Sequence, residues 1–170
     1  MADSISIAPD GRKFKLPDNK QLDDDFARIE KLVEEKRDAG DEIVVVMGMG
    51  FVGIVMAAIV ADVPGKFVIG CQRPSVRSYW KVPILNKGVS PVDAEDPEVG
   101  QMIHRTVNEK KSFTVTFNSD CLKFADVVIV DVQCDYIKNE LGNVRNGRAD
   151  VAALEATMRT IGDKVPANAL

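Results

Sequence analysis

Ile43-Val44-Val45-Val46-Met47-Gly48-Met49-Gly50-Phe51-Val52-Gly53-Ile54-Val55-Met56-Ala57-Ala58-Ile59-Val60-Ala61 is the stretch that decides the fold. It carries no charge, and its length alone would suit a membrane span. Three features oppose that. Gly48, Gly50 and Gly53 sit near its middle, where they weaken a helix. Its flanks are Asp41, Glu42 and Asp62, not Lys or Arg anchors. It also divides into two patterns: a β-branched run that reads as a strand over 43–47, then an Ala-rich run from Val52 that reads as a helix to about Asp62.

Strand, glycine turn, helix is the context in which G-x-G-x-x-G carries meaning. Gly48 permits the tight turn, and Gly50 lets backbone approach a pyrophosphate. Gly53, with Ala57 one turn later, lets the helix lie close to the sheet. The helix amino end offers free N–H groups and positive potential to phosphates. A glycine-rich turn without a ligand is the plainer alternative, and the placement favours a dinucleotide. An acid for the adenosine ribose is then due about 20 residues on, at the end of the next strand. That strand reads over Lys66–Cys71, and Gln72-Arg73 follow it, so there is no carboxylate. Gln72 can still hydrogen-bond a ribose hydroxyl. Arg73 can face a 2′-phosphate, lie over the adenine, or stay in solvent. The expectation is NAD ahead of NADP.

Outward from this unit, strands alternate with helices. A charged helix reads over 22–39, with Leu22, Phe26, Ile29 and Val33 on one stripe and Gly40 ending it. Residues 1–21 are polar, with turn signals at Pro9-Asp10-Gly11 and Pro17-Asp18, and suggest an extended or loosely attached arm. Residues 74–94 read as irregular, with a short helix around Val76–Val82. Asp96-Pro97-Glu98 starts a helix whose buried face is Val99, Met102, Ile103 and Val107. Phe113–Phe117 alternates as a strand, Ser119 caps a short helical turn through Phe124, and Val127–Val132 is an apolar strand. Residues 135–149, with Gly142 and Gly147, read as a polar loop. Asp150 caps a last helix with Val151, Leu154, Met158 and Ile161 on one face.

Strands apolar on both faces, alternating with helices, indicate an α/β Rossmann-type doubly wound parallel sheet with helices on both faces, preceded by an amino-terminal arm and helix. The expected strand order is third–second–first–fourth, with a crevice between the carboxyl ends of the first and fourth strands. The organisation expected is an arm and helix over 1–40 and a dinucleotide-binding domain over 41–170.

Composition agrees. The chain has 170 residues, 45% of them hydrophobic, and 22 Lys or Arg against 26 Asp or Glu for a net charge of −4. That supports one domain with a real core and argues against a nucleic-acid surface. Residues 1–21 lack the apolar core of a signal peptide. Cys71, Cys121 and Cys134 form no C-x-x-C pair, and His104 stands alone in a helical pattern. Neither a zinc site nor a disulfide framework is expected, and the thiols are read as reduced in a cytoplasmic protein.

The run Val46-Met47-Gly48-Met49-Gly50-Phe51-Val52-Gly53-Ile54 resembles the "G-x-G-[YF]-V-G-L" start of UDP-glucose/GDP-mannose dehydrogenases. Leu85-Asn86-Lys87-Gly88-Val89-Ser90-Pro91 is similar to that family's "L-N-x-G-x-S-P", Ala125-Asp126-Val127-Val128-Ile129-Val130 to its "A-D-V-I-I-I", and Ala149-Asp150-Val151 to its "A-D-L". The likeness covers about residues 41–165, and the Asn-x-Gly-x-Ser-Pro segment is its more specific part. It implies a domain that binds NAD, with NADP possible, in a homodimeric enzyme oxidising the C6 alcohol of a nucleotide sugar to a carboxylate. The family's catalytic cysteine and sugar-nucleotide site belong to a second domain beyond Leu170. The resemblance therefore implies no catalytic residue in this segment, a fragment inactive alone, and neither metal, membrane nor nucleic-acid partners.

The cofactor residues expected are Gly48, Met49, Gly50, Phe51, Val52, Gly53, Gln72, Arg73, Asp131, Val132, Gln133 and Cys134. Departures from the family pattern fall among them. Gln72 stands where an acid is usual, and Val132-Gln133-Cys134-Asp135 replaces "V-P-T-P". Cys134 takes the place of a threonine near the cofactor. Asp131 replaces a small apolar residue, either as a hydrogen-bonded structural acid or as a group facing the crevice. Tyr79 and Trp80, in a loop longer than usual, are expected to pack beneath it.

Overall fold

A computed structural model of the chain describes residues 4–73, 75–138 and 146–170. The chain opens with an antiparallel hairpin, β1 (Ile5–Ile7) and β2 (Lys13–Lys15), with Ser6 opposite Phe14. This corrects the loosely attached arm. Gly11, at φ 85°, closes the turn, and Ser6 and Ala8 are buried. Strands this short carry too little alternation to be read in advance.

Helix α1 (Asn19–Asp38) begins ahead of Leu22 because of a capping box. The Gln21 N–H donates to Asp18 Oδ1 at 2.9 Å, and the Asp18 N–H donates to Gln21 Oε1 at 3.0 Å. Gly40, at φ 88°, follows its end. Then come β3 (Glu42–Met47), α2 (Phe51–Asp62), β4 (Lys66–Cys71) and a short α3 (Lys81–Leu85), which starts later than the sequence pattern suggested. Helix α4 (Glu98–His104) runs into a π-helical turn over Arg105–Glu109. Its start is held by Asp96 Oδ1, which accepts from the Glu98 N–H at 2.9 Å. β5 (Phe113–Thr116) leads into a 3-10 turn over Ser119–Phe124, capped by Asn118 and not Ser119. β6 (Val127–Val130) completes the sheet, shorter than the expected 127–132.

The sheet is parallel, in the order β5-β4-β3-β6, which is the order expected from right-handed crossovers. Val45 faces Ile69 on one side and Val128 on the other. Period-two alternation then sorts the side chains. Val44, Val46 and Val68 pack with Ile54, Ala57, Ala58 and Ala61 of α2 and with Ile103 of α4. Ile43, Val45, Phe67 and Ile69 pack on the opposite face with Ile29 and Val33 of α1 and with Leu122. Each fully buried Val, Ile or Phe is worth about 1.5–3 kcal/mol, so the two faces dominate the stability. Beside β6, Leu170 donates to Asp126 O at 2.9 Å and accepts from the Val128 N–H at 2.7 Å.

Residues 135–149 are not simply a polar loop. β7 (Asp135–Lys138) and β8 (Gly147–Asp150) pair antiparallel, and the Tyr136 ring covers Gly147. Gly142 lies outside the described residues. Helix α5 (Ala152–Lys164) follows, with Asp150 Oδ1 accepting from the Ala152 N–H at 3.2 Å. Of its expected apolar face, Ile161 reaches the core, whereas Val151 and Met158 are exposed. Among the described residues no helix is long and apolar enough to cross a membrane.

Asp62 ties the end of α2 to α4. It accepts from Arg105 Nε at 2.8 Å and Nη2 at 2.7 Å, and from Lys110 Nζ at 2.6 Å. Hydrogen bonds from Arg105 and then Lys110 hold its carboxyl well below the usual carboxylate range. Such a contribution is complete above the unfolded-state pKa, about 3.9, and is lost as pH falls through the folded value. Asp62→Asn is therefore expected to lower the urea midpoint at pH 7, with the gap to wild type closing below about pH 4. A gap that stays constant down to pH 2 would count against the ion-pair account.

Candidate functional site

The carboxyl ends of β3, β4 and β6 converge on the glycine turn. At its start, Gly48 has φ 100° and donates its N–H to Cys71 O at 3.0 Å. A Cβ there would lie 1.9 Å from Asp131 O, so the close approach of β3 and β6 excludes any side chain. A Cβ on Gly53 would lie 2.0 Å from Gly48 O, which shows how tightly α2 is drawn onto the turn. Gly50 differs: a Cβ there meets only Asp131 Oδ2, at 3.5 Å.

Gly50 is the residue before α2, and no side chain caps that helix end. Phe51 and Val52 in the first turn are exposed. Uncapped N–H groups at an open helix start favour an anion. Met49 plays another part. Its side chain is fully buried, and its sulfur fills the space that Gly70 leaves, 2.5 Å from where a Cβ would stand.

The backbone of Met49 is held from two sides. Its N–H donates to Gln72 Oε1 at 3.1 Å, and its carbonyl accepts from Lys81 Nζ at 3.0 Å. The Gln72 Nε2 donates to Ser78 Oγ at 2.9 Å and to Arg73 O at 3.3 Å. Both halves of this amide are in use, while the Arg73 side chain is exposed. Lys81 was not among the expected site residues. Its contact spans the loop after β4, and nothing local in the sequence announces it. Gly70 had a weak signal, a glycine inside a strand. Trp80 packs with Ala8 and Ile84, and Tyr79 meets Phe117 edge-on.

On the other side of the crevice, the Asp131 N–H donates to Met47 O at 2.8 Å. Its Oδ2 lies 2.8 Å from the Cβ position of Gly53, and no described residue donates a hydrogen bond to its carboxylate. Val132 is half-buried, and Gln133 and Cys134 are exposed. The Gln133 Nε2 donates to Asp135 Oδ1 at 2.6 Å. Thus the glycine turn meets Asp131 on the β6 side and Gln72 on the β4 side, with Val132–Cys134 following Asp131 in the chain.

The remaining candidates lie elsewhere. Cys71 and Cys121 are buried thiols, and contact with Cys71 together with burial pushes the Cys121 thiol up. His104 is exposed on α4, 3.5 Å from Glu109 Oε1. A hollow of about 580 Å³ lined by Gly88, Ser90, Gln101 and His104 shares no residue with the turn. No group of three metal-ligating side chains occurs among the described residues. The segment Leu85–Pro91 has a structural role that can be seen directly. Asn86 clips the free edge of β5, accepting from the Val115 N–H at 2.8 Å and donating to Val115 O at 2.7 Å.

The family described as UDP-glucose/GDP-mannose dehydrogenase family, NAD binding domain, matches residues 42–170. Among solved structures, NDP-N-acetyl-D-galactosaminuronic acid dehydrogenase from Methanosarcina mazei Go1 is 30% identical over 84% of the chain, with a TM-score of 0.67. GDP-mannose dehydrogenase from Pseudomonas aeruginosa (23% identity, 70% of the chain, TM-score 0.56) and UDP-D-ManNAc dehydrogenase from Pyrococcus horikoshii (23%, 75%, 0.59) share the fold. The chain spans 28%, 24% and 27% of the length of these three proteins. No curated protein matches it.

Proposed function

The chain belongs to the UDP-glucose/GDP-mannose dehydrogenase family, with residues 42–170 as its NAD binding domain, and from this we propose that its glycine turn holds a nicotinamide dinucleotide for oxidation of a nucleotide sugar. One observation carries the reading: the open face of Gly50 before an uncapped helix start. Those residues fit a pyrophosphate, because no side chain caps the backbone N–H groups there, and the Asp131 carboxylate stands to the β6 side, 3.5 Å from the Gly50 Cβ position. Bound in the crevice, the dinucleotide supplies a hydride acceptor.

The chain's own residues do the holding. N–H groups of the first turn of α2 take the phosphates. Gln72 and Lys81 fix the Met49 peptide on which the turn depends. Asp131 borders the turn on the side next to β6, and Cys134 is proposed to lie near the cofactor on that side. Oxidation of a sugar C6 alcohol to a carboxylate removes two hydrides in turn and adds one oxygen from water. It also needs the sugar carbon held against the cofactor, and such positioning is worth about 7–11 kcal/mol. Binding without turnover is the behaviour proposed for these 170 residues, which span 28% of the length of the Methanosarcina mazei relative. The full-length enzyme is proposed to act as a homodimer on a UDP- or GDP-sugar in the cytoplasm.

Two measurements test this. Calorimetric titration with the reduced and oxidised dinucleotides should show one site per chain. Mixing chain and cofactor with UDP-glucose, UDP-N-acetylhexosamines or GDP-mannose should give no steady production of reduced cofactor. Absence of binding would overturn the cofactor reading. Multiple turnover would move the chemistry into this domain, around Asp131, Cys134 and Asp135.

A further inference from the structure

The loop after β4 carries three cations that no described carboxylate neutralises: Arg73, Arg77 and Lys81. Four other arginines are tied to acids, Arg12 to Asp10, Arg28 to Asp25, Arg37 to Asp126 and Arg105 to Asp62, whereas Arg148 and Arg159, away from the loop, make no ion pair with a described residue. Arg73 and Arg77 are exposed. Lys81 is half-buried, with its ammonium on the Met49 carbonyl and 5.9 Å from the Trp80 ring centre. Burial, and then the nearby Arg77 charge, lowers its pKa. In a chain of net charge −4, this is a local concentration of positive charge.

The loop is also built rather than merely exposed. The Ser78 N–H and the Tyr79 N–H donate to Ser75 O at 3.2 and 3.0 Å. The Trp80 Nε1 donates to Arg77 O at 3.2 Å. The Ser75 and Ser78 hydroxyls lie 2.7 Å apart, and Ser78 Oγ is linked through Gln72 to the glycine turn. The loop thus carries two paired hydroxyls and three cations, and it leaves β4 at the strand end where an adenosine ribose meets the protein in this fold. The group absent from that place is a carboxylate, which would accept from the ribose 2′-hydroxyl and repel a phosphate there.

We propose that this loop is a site for a 2′-phosphate, so that the crevice takes NADP(H) in preference to NAD(H). The proposal rests on the dinucleotide reading of the glycine turn and specifies its adenosine end. A phosphomonoester carries a charge near −2 at neutral pH and offers three acceptor oxygens. Guanidinium forks at Arg73 and Arg77 suit those oxygens, and serine O–H groups can complete the set. An unphosphorylated ribose leaves the same cations without an anion. In the sequence Arg73 alone bears on this choice; Ser75, Arg77, Ser78 and Lys81 join it through the folded loop.

The test is a fluorescence titration of the chain with NADPH and with NADH, backed by competition with 2′-phosphorylated and plain adenosine 5′-phosphates. NADPH is expected to bind about tenfold more tightly or better. Arg73→Ala and Arg77→Ala should each weaken NADPH and leave NADH within about twofold. Gln72→Glu should reverse the preference. Raising salt should shrink the difference, since both arginines are exposed. Equal affinity for the two cofactors, or a preference for NADH, would overturn the proposal and leave the dinucleotide reading standing. So would an Arg73→Ala loss equal for both, which marks a guanidinium lying on the adenine. Failure of both cofactors to bind would overturn the reading of Gly48–Gly53 and this proposal with it.

Discussion

Gly48→Ala is expected to cost the chain its stable fold. The added methyl would sit 1.9 Å from Asp131 O, a backbone atom fixed by the β3–β6 pairing. Its backbone, at φ 100°, is also a conformation that L-residues avoid. Relief requires β6 to separate from β3 at the carboxyl end of their pairing. Steric strain of this kind costs about 3 kcal/mol or more, a large share of the roughly 5–15 kcal/mol that keeps a domain folded. Urea unfolding followed by circular dichroism should show a collapsed midpoint or no cooperative transition. A midpoint equal to wild type would mean that β3 and β6 are not as close as described.

Gly50→Val, two residues away, is expected to do the opposite. Its backbone is extended, with φ −77° and ψ −168°, which valine adopts readily. A Cβ there meets only the Asp131 carboxylate, at 3.5 Å. The fold should survive with an unchanged melting curve. The isopropyl group would stand over the helix start where a pyrophosphate has to approach the backbone, so dinucleotide affinity should fall by about 100-fold or more. Calorimetry on the two proteins decides it, and unchanged affinity would place the phosphates elsewhere. Together these substitutions separate the glycine that closes the sheet from the glycine that opens the site.

Much of this was legible in the sequence where the signal is local. The β-branched run before Gly48, the apolar run over 66–71 and the alternation at 113–117 each specify a strand by composition and period. Chain-handedness rules then arrange them in the order found. The hairpin at the amino terminus and the strands over 135–138 and 147–150 were not legible, because their sequences are short and polar and depend on what they pair with. At the site, the glycines announced themselves. The anchoring of Met49 by Gln72 and Lys81 did not, because it joins residues brought together only by the crossover from β4. Asp131 illustrates the same limit: its sequence position allowed two roles, and only the fold shows its carboxylate beside Gly50 and Gly53.

The amino-terminal hairpin lies outside the span that matches the family, yet it touches the loop that holds the glycine turn. Ser6 Oγ accepts from the Trp80 N–H at 3.1 Å inside a buried cluster with Ala8 and Ile84, and the next residue, Lys81, grips the Met49 carbonyl. Helix α1 likewise closes one face of the sheet with Ile29 and Val33. The family span is therefore not a transplantable unit in this protein. Residues 42–170 grafted onto another scaffold would carry the whole fingerprint and leave its splint behind. Such a chimaera would keep its glycines in sequence while losing the register of the loop that aims them.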